Sequence, residues 1–313
     1  MGSYMLRRLS AAALSLVGIS FITFMLVFLV PGDPAEMVAQ ARFGHGVGTS
    51  EVEMVRSTEG LDQPLAVQYW KWLRHLFNLD FGYSLINQQP VLSLIQSRFP
   101  ATILLACTSL LFSLLIAVPA GIISALYKDT WLDLGLRFFA ILGVSIPGFW
   151  LSYLMIIFFA LQLKLLPVSG YGSFSNLIMP SIALGLGMAG LTTRMLRASL
   201  LEVLQQDYLN TARAHGIREN KVLFKYALKN AMIPVLTVVA LQMGFLLSGT
   251  VIIESIFGWS GLGKLILEGI YTRDFPVIQG CVLFIAVCFI LINTGVDLVY
   301  SWLDPRISWA EER

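Results

Sequence analysis

The sequence has little charge for its length. Only 13% of its 313 residues are Asp, Glu, Lys or Arg, whereas 57% are hydrophobic and the mean hydropathy is +0.75. A soluble globular domain carries about 25% charged residues. So few charges cannot cover a surface that faces only water, so part of the surface must face lipid. The net charge of +2 gives no reason to expect binding to nucleic acid.

Cysteine and histidine are also scarce. Cys107, Cys281 and Cys288 all lie in apolar runs, and the three histidines are scattered along the chain. Because no pair has the spacing of metal ligands, we expect buried cysteines and no metal site. The chain also lacks a nucleophile elbow and an acid pair in a plausible cleft, so we expect no catalytic residues and no enzyme activity.

Long apolar runs are abundant instead. A helix needs about 20 apolar residues to cross a hydrocarbon core of about 30 Å, and only closed helices like these satisfy their own backbone groups in lipid. We therefore predict an all-α polytopic membrane protein with six transmembrane helices. They lie at about Leu9–Val30, Ala101–Leu126, Leu136–Leu161, from near Ile178, at Ile233–Ile256 and at Val277–Leu303.

Lysine and arginine are concentrated in the connections on one side of these spans. Positively charged connections mark the cytoplasmic side, so both termini should be cytoplasmic. The first apolar run is longer than the 7–15 residues of a signal peptide and lacks a small-residue cleavage pattern, so we expect it to be retained. We divide the chain into an N-terminal transmembrane helix at 1–30, an extracytoplasmic segment at 31–100 and a five-helix core at 101–313.

The extracytoplasmic segment contains a cluster of aromatic residues. Two interpretations stay open for it. The cluster could belong to an amphipathic helix that rests on the membrane interface, where Trp and Tyr are favoured. It could equally belong to a small folded cap on the helix ends. The aromatic residues are Tyr69, Trp70, Trp72, Phe77, Phe81 and Tyr83.

The predicted spans contain almost no ionisable groups. Proton-coupled carriers need buried relays of Asp, Glu or His. Glu254 and Asp297 lie near the ends of two spans, and we interpret them as interfacial carboxylates with local hydrogen bonds. The stretch GWSGLGKL at 258–265 resembles a phosphate-binding loop, but it lacks the final hydroxyl and follows a membrane helix. We expect no nucleotide site there.

A polar stretch interrupts the apolar runs between the fourth and fifth spans. We predict that one helix continues from the fourth span through Arg194–Ala214 and ends at Gly216, because glycine accepts a left-handed conformation without strain. A second helix should follow at 219–231, and Pro234 should end it and open the fifth span. Leu223, Tyr226 and Ala227 should share one face of that second helix.

Small residues surround this glycine. Thr211, Ala212, Ala214 and Gly216 would let the surface of another protein approach closely. We favour a docking element on the cytoplasmic side over the alternative of a solvated, positively charged loop.

The stretch DYLNTARAHGIRENKVLFKYALKNAMIP at 207–234 resembles the coupling motif of ABC importer permeases. More narrowly, it is similar to the B-type permeases of dipeptide, oligopeptide, glutathione and nickel uptake systems. Further similar motifs cover essentially the whole chain, among them VPGDP at 30–34, DFGYS at 80–84 and IFGWSGLG at 256–263. Ser260 replaces the usual proline, and Asn210 replaces the glutamate of the general importer motif.

The resemblance implies a type I ABC importer permease fold with a cytoplasmic coupling helix in the segment 205–233. It also implies a bacterial inner-membrane location. The implied partners are a paralogous permease subunit, two cytoplasmic ATPase subunits and an extracytoplasmic binding protein. ATP and Mg would be bound by the partner subunits, and this chain itself would need no cofactor.

The resemblance also assigns site residues. The fifth span should line the translocation path through Gln242, Ser248, Thr250 and Glu254. The compact connection at 162–176 favours the nickel, metallophore or glutathione branches for the substrate. A secondary, ion-coupled carrier and a non-transporting membrane scaffold are the alternatives. Coupling to the ATPase should involve Asp207, Asn210, Thr211, Ala212, Arg213, Ala214, His215 and Gly216.

Overall fold

The computed structural model describes the chain at 2–29, 32–44 and 46–303, without the side chains of 2–9, 247–249 and 296–303. These residues form α-helices and two π-helical stretches, at Ile156–Gln162 and Val222–Ala227, and they contain no β-strand. The helices are α1 Gly2–Leu29, α2 Pro34–Phe43, α3 Thr49–Thr58, α4 Leu65–Phe77, α5 Val91–Leu126, α6 Trp131–Ser145, α7 Gly148–Met155, α8 Phe174–Val203, α9 Asp207–Ala214, α10 Glu219–Lys221, α11 Leu228–Gly249, α12 Val251–Ile256, α13 Leu262–Thr272 and α14 Phe275–Leu303.

The helices group into two compact units. One unit takes its described residues from 1–100 and 261–313, and the other is Ala101–Ser260. In the first unit α1 packs along α14, and the Gln279 amide donates to the Thr23 carbonyl oxygen at 3.3 Å. The buried core of this unit also includes Val91, Ile95, Leu262, Leu265, Val277 and Cys281.

The aromatic residues of α4, in the predicted extracytoplasmic segment, lie on two edges of this helix. Helix α4 packs on α1 through Tyr69 and Trp72, whose rings lie 5.4 and 5.5 Å from the ring of Phe24. The opposite edge of α4 is uncovered, since Trp70 is 67% exposed and Phe77 is 80% exposed. Helix α4 therefore packs on α1 along one edge and leaves aromatic side chains uncovered along the other, and its place at the membrane interface stays a prediction.

In the second unit, glycines bring the backbones of neighbouring helices into direct contact. A Cβ on Gly190 would stand 2.2 Å from the Ala140 carbonyl oxygen, and one on Gly185 would stand 2.6 Å from the Ser109 carbonyl oxygen. Helix α8 therefore touches α6 and α5 without a layer of side chains between them. Small residues permit this close approach of helices in membrane proteins.

The fold confirms the predicted all-α membrane architecture and corrects some helix bounds. Five described helices are long and apolar enough to cross a membrane, or six if the bent pair Trp131–Ser145 and Gly148–Gln162 forms one span. The third predicted span is not one helix, because this pair bends by 100° around Pro147. The second predicted span begins earlier than expected, at Val91, so the last part of 31–100 is helical.

Pro234 does not separate two helices. The chain is helical from Glu219 through the π-helical stretch and α11, and Pro234 lies inside α11. Neighbouring helices in a membrane protein can satisfy the backbone groups that a proline leaves free. The expectation that Pro234 opens the fifth span is therefore wrong.

Candidate functional site

The polar segment after the fourth span consists of two helices and not one. Helix α8 ends at Val203, and α9 begins at Asp207 after a turn in which Gln206 is extended (φ −76°, ψ 140°). The predicted continuous helix through Arg194–Ala214 is therefore wrong at this turn. Because of this break, the direction of α9 is not fixed by that of α8, and α9 packs against the rest of the second unit.

Helix α9 is anchored by a buried apolar face. Leu209 is fully buried, and Ala212 is 8% exposed. Both belong to a cluster that draws residues from α5, α8, the π-helical stretch and α11. The cluster also contains Ala125, Leu196, Leu200, Val222, Leu223, Ala227, Ala231 and Val235. Helix α9 is thus packed directly against residues of three long helices, α5, α8 and α11.

The predicted shared face of the second helix is also part of this cluster. Leu223 and Ala227 are buried in it, and Tyr226 packs against it. This part of the prediction is confirmed. Ala212, by contrast, points into the cluster, so the expectation that it offers a surface to another protein is wrong.

The remaining face of α9 and the following turn are open to solvent. Gly216 has φ +75°, as predicted for a left-handed position, and a Cβ there would meet no atom within 4 Å. The turn is therefore exposed as well as left-handed. The exposed predicted coupling residues are Asp207, Asn210, Thr211, Ala214, His215 and Gly216.

Arg213 braces the turn. Its guanidinium donates to the Glu219 carboxylate at 2.9 Å and to the Asn210 side-chain oxygen at 3.1 Å. The hydrogen bond with Glu219 raises the pKa of the Arg213 guanidinium, so this arginine stays charged at physiological pH. The pair joins the chain on the two sides of Gly216 and gives the turn one shape.

A second ion pair, which sequence reasoning did not predict, holds the base of α8. The fully buried Asp133 carboxylate accepts two hydrogen bonds from Arg197, from Nε at 2.8 Å and from Nη2 at 2.7 Å. It also accepts from the Ser124 hydroxyl at 2.5 Å and the Asp129 backbone N–H at 3.0 Å. The end of α5, the start of α6 and α8 meet at this carboxylate.

The residues expected to line a translocation path are buried inside the second unit. Gln242 donates to the Met188 carbonyl oxygen at 3.2 Å and accepts from the Thr192 hydroxyl at 3.2 Å, so it joins α11 to α8. Thr250 and Glu254 are completely buried. In this chain the three side chains are buried against neighbouring helices, and their part in a translocation path stays a prediction. Ser248 lies outside the residues whose side chains the structure describes.

Glu254 is not an interfacial carboxylate with local hydrogen bonds. Its side chain accepts from the Thr102 hydroxyl at 2.8 Å, a residue 152 positions away. The backbone around it is also fixed, because the Trp259 N–H donates to the Glu254 carbonyl oxygen at 2.7 Å. Glu254 thus fastens α12 to the start of the long helix α5. Asp297 lies outside the residues whose side chains the structure describes.

The loop that resembles a phosphate-binding motif has a different setting. The preceding element, Val251–Ile256, is a helix and not a strand. Lys264 lies 3.8 Å from the Glu268 carboxylate one turn further along α13. This local pairing and the helix before the loop give no support to a nucleotide site.

Comparisons with known proteins agree with this architecture. A family described as "Binding-protein-dependent transport system inner membrane component" matches residues 117–309, and the N-terminal part of the same kind of component matches residues 1–106. The "Glutathione transport system permease protein GsiC" of Escherichia coli (strain K12) is 40% identical over 307 residues, covering 98% of this chain and 99% of the relative. The protein of the same name from Salmonella paratyphi A (strain ATCC 9150 / SARB42) is 40% identical over 308 residues, with the same coverage.

Solved structures share the fold. An inward-facing MetNI methionine ABC transporter chain superposes with a TM-score of 0.57 at 19% identity, covering 67% of this chain and 96% of that one. A chain of an amino acid ABC transporter gives a TM-score of 0.52 at 13% identity, covering 68% of this chain and 94% of that one. The chain therefore belongs to the family of binding-protein-dependent transport system inner membrane components, and it is a permease subunit of an ABC importer.

Proposed function

We propose that this permease pairs with a paralogous permease subunit and imports small peptides, glutathione among them. An extracytoplasmic binding protein delivers the substrate, and two cytoplasmic ATPase subunits dock on the exposed face of α9. The ATPases hold ATP and Mg, so this chain supplies the path and the coupling surface without a cofactor of its own. Both termini then lie on the cytoplasmic side of the inner membrane.

The observation that carries the proposal is that α9 has two different faces. One face is anchored in the apolar cluster, and the other is exposed to solvent. Leu209 anchors this helix in a cluster shared by α5, α8 and α11, while Thr211 and Ala214 are exposed. A loop that only carried positive charge would need no such anchor. A docking element needs both an anchored face and an exposed face, because a contact made on its surface must move the membrane helices.

The substrate rests on a different argument. Relatives that are 40% identical over 98% of this chain are named as glutathione transport permeases. Glutathione is a small peptide, and the compact connection at 162–176 agrees with the branch that includes it. Nickel and metallophore complexes are the competing substrates, and the choice depends mainly on the binding protein.

Two measurements on the assembled transporter test the proposal. Ala214→Trp places a bulky group on the open face of α9, so ATPase co-purification and substrate uptake should both fall at least about tenfold. Leu132→Trp, at an exposed position at the start of α6 and outside the segment 205–233, is the matched control and should leave both unchanged. Normal co-purification with Ala214→Trp would show that the ATPase docks elsewhere.

Uptake by the unaltered transporter separates the substrates. Labelled glutathione, a labelled dipeptide and a nickel chelate are each offered with the cognate binding protein. Uptake of glutathione or the dipeptide that needs ATP supports the peptide assignment. Uptake of the nickel chelate alone would overturn it without affecting the docking result.

A further inference from the structure

Helix α4 lies beside the membrane-spanning part of α1, not beyond its end. The Tyr69 hydroxyl is 2.8 Å from the Ser20 hydroxyl, and the Tyr69 ring also packs edge-on against Phe21 at 5.6 Å. Ser20 and Phe21 belong to the apolar span Ser10–Leu29. At 1.5 Å per residue, Ser20 lies about 13 Å below the end of α1 at Leu29. The Tyr69 side chain therefore lies alongside the apolar span of α1, below its end at Leu29.

Helix α14 gives a second measure of this depth. Its apolar span begins at Phe275, and Gln279 meets Thr23 of α1 only one turn further in. Thr23 is thus about 6 Å below the start of α14 and about 9 Å below the end of α1. The rings of Trp72 and Phe24, one residue above Thr23, are in contact. Both helices place α4 at the boundary between headgroups and acyl chains, where amphipathic helices rest at a depth of about 5–10 Å.

A cavity of about 760 Å³ opens between α4 and these helices. Phe24, Val27 and Phe28 of α1 give the cavity an apolar lining, and Lys71 and Arg74 of α4 also line it. Small-molecule sites typically occupy about 300–1,000 Å³. The cavity therefore combines an apolar side from α1 with a basic side formed by Lys71 and Arg74 of α4.

The basic side has no internal counterion. Neither Lys71 nor Arg74 forms an ion pair within the described part of the chain. Glu59 is the acidic residue among those lining the cavity, and it is paired with Arg42 at 2.5 Å. His75 also lines the cavity and is 3.0 Å from Asp80. The uncompensated charge facing the cavity is positive, which fits a phosphate group.

We infer that this cavity binds an anionic phospholipid from the leaflet that adjoins α4. Lys71 and Arg74 contact the headgroup phosphate, and the acyl chains lie along Phe24, Val27 and Phe28. Trp70 and Phe77 on the open edge of α4 anchor the helix in the same interface. The topology prediction makes this the outer leaflet. The lipid would complete the packing between α4 and the membrane-spanning helices.

Photo-crosslinking from the cavity wall tests the inference. The full-length permease carries p-benzoylphenylalanine in place of Phe28 and is reconstituted in vesicles of equal parts phosphatidylglycerol and phosphatidylcholine. A matched variant carries the probe in place of Leu14, which is 75% exposed on the same helix and senses bulk lipid. Mass spectrometry of the adducts gives the ratio of the two lipids at each position, with no need for transport activity.

Each basic residue near an anionic surface contributes a factor of about five in affinity. The ratio of phosphatidylglycerol to phosphatidylcholine adducts should therefore be at least about fivefold higher at Phe28 than at Leu14. Lys71→Gln with Arg74→Gln should bring the ratio at Phe28 down to that at Leu14. Equal ratios at both positions in the unaltered chain would overturn the inference. So would a cross-link from Phe28 to the binding protein, in place of lipid, in the assembled complex.

Discussion

The Arg197 guanidinium donates two parallel hydrogen bonds to the Asp133 carboxylate, from Nε at 2.8 Å and from Nη2 at 2.7 Å. The two residues are 64 positions apart in the chain, and the carboxylate is completely buried. This geometry matches the planar fork of arginine to both carboxylate oxygens. The pair fixes the start of α6 to α8 at the base of the helices that support α9.

The first prediction concerns this pair. Asp133→Ala leaves a largely buried guanidinium without its counterion, so the free energy of unfolding should fall by about 3–5 kcal/mol. Thermal unfolding of the purified permease in detergent measures the effect. Asp133→Leu combined with Arg197→Met removes both charges and should be more stable than Asp133→Ala. Arg137→Gln, whose side chain is 43% exposed near the same carboxylate, should cost less than about 1 kcal/mol.

The second prediction concerns the turn at Gly216. Gly216→Leu forces a side chain into the left-handed region, at a cost on the order of 1 kcal/mol or more, although no neighbouring atom obstructs it. Expression should be nearly normal, while uptake and ATPase co-purification should collapse. Gly216→Asn should retain activity, because asparagine tolerates this conformation better. Wild-type uptake by Gly216→Leu would mean that the turn is only a connector.

The ion pair between Arg213 and Glu219, which spans the same turn, gives a graded comparison of the effects on uptake. Arg213→Glu places a second carboxylate beside Glu219 and should reduce uptake less than Gly216→Leu does. Exchanging the charges, with Arg213→Glu and Glu219→Arg together, should restore most of the loss. If the exchange restored nothing, Arg213 would act through a contact with another subunit and not through Glu219.

The third prediction concerns the contact between α6 and α8. Gly190→Ala places a methyl group 2.2 Å from the Ala140 carbonyl oxygen, and neither backbone can yield without shifting a helix. The free energy of unfolding should fall by about 1–3 kcal/mol, as for overpacking in a core. Gly135→Ala on α6 meets no atom within 4 Å and should be neutral or stabilising by about 0.5–1 kcal/mol. Equal thermal stability of the two variants would contradict the close contact.

The fourth prediction concerns orientation in the membrane. Ser57 lies on α3 and Asn220 lies on α10, and both residues are exposed. In a chain whose three cysteines are replaced, Ser57→Cys should react with an impermeant maleimide in intact cells. Asn220→Cys should react only after permeabilisation. Labelling of Asn220→Cys in intact cells would reverse the predicted topology.

The sequence was informative where a single residue or a long composition pattern decides the structure. Apolar length alone located the membrane helices, because lipid leaves an exposed backbone no other partner. The left-handed Gly216 followed from the same kind of local rule. The buried face of the second helix of the polar segment followed from periodicity, since Leu223 and Ala227 recur at helical spacing.

The failures involve choices that tertiary packing makes. Pro147 lies at a 100° bend, whereas Pro234 lies within a continuous helix. The residue before a proline avoids the helical region by a modest energy that packing can override. Ile146 is extended as this preference predicts (φ −78°, ψ 120°), but Pro180 also lies inside a helix. Local sequence does not distinguish these prolines.

For the predicted site residues too, tertiary packing decides what local sequence leaves open. Ala212 was expected on a surface and is buried, because the direction of α9 depends on a turn at Leu204–Gln206 that periodicity does not reveal. Gln242, Thr250 and Glu254 are polar residues in an apolar span, and polarity alone does not say whether a helix turns them to a channel or to a neighbouring helix. Asp133 and Arg197 are too far apart in sequence for their pairing to be predicted from one chain.

The glycine contacts along α8 have a mechanical consequence. Interlocking side chains let two helices slide, since rotamers can change as they move, but backbones in direct contact have no such compliance. Helix α8 is 30 residues long, or about 45 Å, and touches α5 and α6 at Gly185 and Gly190. A push delivered through α9 to the base of α8 would therefore not be absorbed along the way. It would move α8 together with α5 and α6 as one rigid group.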